Sequence, residues 1–146
     1  MDVLAVENLL PGAVVTTALN RSAKQHSSFN YGSSFSRAMA FEIEGRQTIH
    51  VSGTASINTA GLSTHIGDAE HQCIDTLLSI SALLAEQGGG LGHITSATLF
   101  CKDRAAWEAW ERTTQLLGLP KIPKICLLAD VCRDDLLVEM EAVAVI

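Results

Sequence analysis

The chain has 146 residues, 47% of them hydrophobic, and its 10 basic and 16 acidic side chains leave a net charge of −6. That length predicts a single domain over residues 1–146, large enough to bury a core without disulfides or metals. Nucleic-acid binding draws on Lys and Arg against phosphate, so an acidic chain with 5% aromatic residues and no basic cluster is expected to bind none. The start of the chain lacks a basic segment ahead of an apolar one, and the apolar runs are too short to span a bilayer. A cytoplasmic protein with no membrane partner is therefore expected. Its four cysteines form no C-x-x-C, and its five histidines show no metal-binding spacing. No metal and no organic cofactor are expected.

Residues 1–10 read as a lead-in, closed by Pro11 and Gly12, and β-branched residues predict a strand over 13–19. Residues 20–34 are polar and rich in Ser, Asn and Gly. A loop that long calls for a purpose, and with Tyr31 in it the segment is a candidate lid. Residues 37–44 alternate, and a turn at 44–47 leads into a strand over 48–52, which together predict a hairpin. Arg37 shares a face with Met39, Phe41 and Ile43. It is either a strand-end arginine that snorkels to water or a buried guanidinium suited to a carboxylate.

Small residues follow at 52–57, where Gly53 and Thr54 would let a ligand approach the backbone. Asp68 is placed to cap a long helix whose stripe is Cys73, Ile74, Leu77, Leu78, Ser81 and Leu84, ended by three glycines at 88–90. A strand over 94–102 comes next. A second helix over 103–117 is expected to turn Trp107, Trp110, Thr114 and Leu117 to the sheet, and Gly118 and Pro120 end it.

The last stretch, 124–146, reads as two hydrophobic strands joined by a short charged turn. In the second, Leu136, Val138, Met140, Ala142, Ala144 and Ile146 share a core face, while Glu139 and Glu141 alternate with apolar residues on the other. A face of that mixture suggests a pocket or a subunit contact. Enclosure would raise the pKa of Glu139 toward neutrality and suit it to proton transfer. The alternative is that both glutamates lie on the wet side of an antiparallel strand. The order of elements departs from a strict βα alternation, which predicts an α+β fold with both helices on one face of a mixed sheet and the other face buried by association.

Three separated stretches carry a resemblance: Val51-Ser52-Gly53, then Gly67-Asp68-Ala69-Glu70-His71-Gln72, then Asp130-Val131-Cys132-Arg133 followed by Leu137-Val138-Glu139-Met140-Glu141-Ala142. Together they resemble the Rid (YjgF-like, reactive intermediate deaminase) family. Phe35-Ser36-Arg37-Ala38, Ser52-Gly53-Thr54-Ala55-Ser56, His65-Ile66-Gly67-Asp68 and Ala129-Asp130-Val131-Cys132-Arg133 are closer still to the Rid-like catalytic half of chorismatases. Those enzymes are longer, and the likeness is to their second half only.

The resemblance implies a chorismate-mutase-like fold, a homotrimer whose sheets form a central barrel, and sites for small carboxylates between subunits. It implies hydrolysis of an imine, an enamine or an enol ether, with Glu139 positioning water or moving a proton and Gly53 lining the pocket. Rid deaminases carry an arginine early in the penultimate strand, and none stands at 123–127. Lys124 is a possible substitute as a point charge. The chorismatase likeness implies instead Arg37 as the carboxylate clamp and Cys132 as a pocket wall. A non-catalytic trimer that binds small carboxylates or protein partners is the competing reading.

Overall fold

The structure is a computed structural model that describes residues 5–146; the first part of the expected lead-in lies outside the described residues. In chain order the elements are β1 (Val15–Leu19), β2 (Ala38–Ile43), β3 (Arg46–Ala55), α1 (Ala69–Ala85), β4 (Ile94–Cys101), α2 (Arg104–Leu116), β5 (Lys124–Leu128) and β6 (Val138–Val145). The strands make one mixed sheet in the order β1-β2-β3-β6-β4-β5, antiparallel except for the β4–β5 pair.

The β2–β3 hairpin turns on Glu44 and Gly45, both with positive φ (52° and 75°). That geometry matches the twist of the flanking strands. Asp68 caps α1, its side chain accepting from the His71 amide at 3.1 Å, and Asp103 caps α2 through Ala106 at 2.8 Å. Both helices pack on one face of the sheet, where Ala38, Ala40, Ile49, Val51, Leu99, Met140 and Ala142 meet Cys73, Leu77, Ile80, Leu84 and Trp110 in one core.

Three expectations are corrected. The last two strands do not pair with each other: β5 runs parallel to β4 at the edge, while β6 is inserted between β3 and β4. The 129–137 segment therefore crosses over β4 and is not a tight turn. Within α1 the buried band is rotated from the expected stripe, leaving Leu78 52% exposed and burying Gln72, Asp75, Thr76 and Ser79. Polar side chains are tolerated there because two of them are bonded into the fold. Gln72 Oε1 accepts from the Leu137 amide at 2.7 Å and its Nε2 donates to Asp135 O at 2.9 Å. Asp75 accepts from Ser56 Oγ at 3.0 Å and pairs with Lys24. In α2, Leu117 is 51% exposed and Thr113 is buried in its place.

The 20–37 loop wraps the end of the sheet and is held by polar side chains. Gln25 Nε2 donates to the carbonyls of Ala55 and Ile57 at 3.0 and 3.1 Å, at and just past the end of β3. Opposite the helices the sheet is uncovered, and its strands present Met39, Phe41, His50, Thr98, Ile125, Glu141 and Val143 there. Among the described residues no helix is long and apolar enough to cross a membrane, and no cluster of three or more His, Cys, Asp or Glu is placed to hold a metal ion.

The packing predicts unequal costs along α2. Trp110→Ala removes a side chain 1% exposed and is expected to lower stability by about 3–5 kcal/mol in urea denaturation. Leu117→Ala should shift it by no more than about 0.5 kcal/mol.

Candidate active site

The candidate site forms where the β3–β6 ladder is irregular. Val51 faces Ala142 and Thr54 faces Met140, so Ser52 and Gly53 together oppose Glu141 alone. This is a β-bulge, which bends the strand and re-aims its side chains. Glu139 lies half-buried opposite Ala55 on the uncovered face, and its carboxylate reaches back over the bulge: a Cβ at position 53 would sit 2.1 Å from Glu139 Oε1. Gly53 is the residue that makes this approach sterically open. The two residues singled out in the sequence are thus in contact.

Cys132 joins them from the crossover segment. Its thiol is exposed, yet its pKa is raised, first by partial desolvation and then by the charge and hydrogen bond of Glu139. Cys73 and Cys101, by contrast, are buried in the core, and desolvation pushes both to about 12. They belong to packing.

Arg37 continues the β2 ladder beside the bulge, its carbonyl accepting from the Ser52 amide at 3.0 Å. Strand alternation from the core residue Ala38 puts it on the Glu139 side, two strand spacings from β6, or roughly 10 Å backbone to backbone. Arg37 is 2% exposed. It donates from Nε and Nη2 to His26 O at 3.1 and 3.0 Å, and from Nη2 to Tyr31 Oη at 2.6 Å. Among the described residues no carboxylate pairs with it. Of the two readings of Arg37, the snorkelling one is excluded.

Tyr31 ends a 3-10 turn (Ser28–Tyr31) that Gly32 closes with φ 85°. Its hydroxyl meets Arg37, and its ring sits 5.6 Å from the Arg133 guanidinium. Arg133 in turn donates from Nη1 to Gly61 O at 2.8 Å. Neither Arg133 nor Gly61 is marked by the sequence as a site residue. Arg133 stands beside Cys132 in a quoted stretch, but its partner is 72 positions earlier, beyond any local pattern.

Two of the candidates lie elsewhere. Lys124 is on the helix side of β5, paired with Glu111 of α2 at 3.1 Å, and does not stand in for a substrate-gripping arginine near Glu139. Thr54 is 1% exposed and faces the core with Met140, its hydroxyl donating to Ser52 O at 2.8 Å. The bulge turns Gly53 toward Glu139 and its neighbour away.

Two expected outcomes follow from this geometry. Gly53→Ala should fold with stability within about 1 kcal/mol of the parent, because the clashing atom ends a flexible side chain, and its crystal structure should show Glu139 displaced from the bulge. Glu139→Gln removes a negative charge that disfavours the Cys132 thiolate, so the apparent thiol pKa read from iodoacetamide labelling against pH should fall. Desolvation remains, and the pKa should stay above the ordinary thiol value.

Comparison with known proteins agrees with this architecture. The family model described as Endoribonuclease L-PSP matches residues 28–146. Among solved structures, a chorismatase superposes with a TM-score of 0.74 at 22% identity, covering 89% of this chain and 44% of its own. This chain thus spans less than half of that enzyme. A member of the YjgF/YER057c/UK114 family from Mycobacterium tuberculosis gives 0.63 at 24% identity over 90% of this chain and 100% of its own. Yeast Mmf1 gives 0.71 at 18% identity over 90% and 98%. The six-stranded mixed sheet with two helices on one face is the fold of these proteins, and the chain belongs to the endoribonuclease L-PSP family, known also as YjgF or Rid.

Proposed function

We propose that the protein is a small-molecule enzyme that adds water to an imine, enamine or enol-ether carbon of a small carboxylate, in a homotrimer whose sites lie between subunits. The observation that carries this reading is the Glu139 carboxylate held over Gly53, together with Arg37, a buried residue whose guanidinium pairs with no carboxylate among the described residues. Arg37 would take the substrate carboxylate, and Glu139 would move the proton. On an imine, water adds to the C=N carbon and the product collapses to a keto acid and ammonia. On an enolpyruvyl ether, Glu139 delivers a proton to the methylene carbon, water adds to the ether-bearing carbon, and the C–O bond of the hemiketal breaks to give pyruvate and an alcohol.

The uncovered sheet face supports the trimer: Ile125 is 61%, Ile43 48% and Leu127 43% exposed in the single chain. Apolar area of that kind is commonly buried by association. Nuclease activity, which the family description names, sits poorly with a net charge of −6.

One observation favours a second reading, a trimer that binds small carboxylates or protein partners without turnover. Arg37 is closed over by His26 and Tyr31, and β5 supplies no arginine to the Glu139 face. The two are separated by pyruvate release from chorismate in a coupled assay. The enzymatic reading expects release by the parent, loss of at least about a hundredfold in Glu139→Gln, and an unchanged oligomeric mass. Undiminished release by the variant would remove Glu139 from the chemistry, and ligand binding without release from chorismate or an imino acid would favour the second reading.

A further inference from the structure

We propose that Arg133, Gly61 and Tyr31 form a strut that fixes the Arg37 guanidinium, so that Arg133 is a positioning residue for carboxylate binding although it is distinct from the clamp itself. Arg37 has two acceptors, a backbone carbonyl of the wrapping loop and the Tyr31 hydroxyl. Hydrogen bonds to a charged group are stronger than those between neutral groups, so the second acceptor contributes substantially to orienting the fork. What holds Tyr31 therefore helps to hold Arg37, alongside His26 O and the Phe35 ring, whose centre is 5.3 Å from the guanidinium.

Tyr31 packs against a glycine. A Cβ at position 61 would stand 2.4 Å from Tyr31 Cδ1 and 2.6 Å from Cγ, and φ there is +79°, a conformation that side chains rarely adopt. Gly61 caps a tight turn whose amide donates to Asn58 O at 3.0 Å, while Asn58 Oδ1 accepts from the amides of Ala60 and Leu62, both at 3.0 Å. A bridge between Ile57 and Ser63 closes its base.

Arg133 ties this turn to the segment that carries Cys132. Its Nη1 donates to Gly61 O at 2.8 Å and approaches Ser63 Oγ at 3.4 Å, and that hydroxyl donates to Asp135 at 2.8 Å. The same guanidinium stands 5.6 Å from the Tyr31 ring centre, within the range of cation–π attraction. Three segments far apart in the chain thus converge on one ring, whose hydroxyl end meets Arg37. A purely structural staple between the turn and the crossover would need no such ring between two arginines.

The strut rests on the contacts of Tyr31, Gly61 and Arg133, whereas its effect on turnover rests on the reading of Arg37 as the carboxylate clamp. Two readouts keep these apart. The first is the Arg37 Nε–H resonance in a ¹⁵N spectrum, assigned by its loss in Arg37→Lys and bonded here to His26 O. In Arg133→Met and in Tyr31→Phe its hydrogen exchange should quicken by about tenfold or more, as loss of one charged hydrogen bond implies. Arg133→Lys, which can still donate to Gly61 O, should restore part of the protection. The second readout is chorismate kinetics: Arg133→Met should raise KM about tenfold and leave kcat within about twofold, the pattern of lost uniform binding.

Unchanged Arg37 protection in both Arg133→Met and Tyr31→Phe would overturn the strut, and so would a fall in kcat at constant KM. If Arg133→Met does not fold, Tyr31→Phe against Arg133→Lys makes the same comparison. Loss of Arg37 protection in a protein that releases neither pyruvate from chorismate nor ammonia from an imino acid would sustain the strut and remove the enzymatic reading alone.

Discussion

Between Val51 and Thr54, β3 carries two residues where β6 carries one, and the side-chain alternation of β3 slips across Ser52 and Gly53. Because of that slip, both Val51 before the bulge and Thr54 after it face the core, and Ala55 comes to lie opposite Glu139. A regular ladder would aim position 53 into the helices and leave no glycine surface beneath the carboxylate. The bulge thus converts a half-buried glutamate on a sheet into a group with the Gly53 backbone and a thiol beside it. The position of Arg37 depends on the same irregularity, since its carbonyl is bonded to Ser52.

Polar side chains then hold the loops around the bulge in place. Gln25 supplies two hydrogen bonds to carbonyls at and just past the end of β3, Lys24 meets Asp75 on α1, and Gln72 binds the crossover segment through both ends of its amide. Buried amides and carboxylates of this kind are costly when unpaired and specific when satisfied. Through them the long helix contributes to the site, orienting the segment of Cys132 and Arg133 although it places none of its own side chains against Glu139.

Local features were legible in the sequence where local physics decides them. The Glu44-Gly45 turn and the Asp68 cap are set by a few adjacent residues, and the alternation of β6 separates Glu139 from the core as written. The buried band of α1 departs from its apolar stripe because Gln72 and Asp75 are buried with partners that lie far away in the chain. The place of β5 was hidden too, since a parallel edge strand follows from the α2 crossover and from the insertion of β6 beside β4. Within the site, Gly53 and Glu139 were each visible but not their contact. Arg133 and Gly61 were invisible as a pair, because only the fold brings the turn at 58–63 to the crossover.

The measurement that bears most directly on the central claim is a titration of the isotope-labelled protein with pyruvate, a keto acid that either proposed reaction can release. Binding at the bulge predicts chemical-shift changes concentrated at the amides of Ser52 and Gly53, at Cys132 and Glu139, and at the Arg37 Nε–H, and their loss in Arg37→Met. Changes confined to other surfaces, or a response that survives in Arg37→Met, would contradict the account.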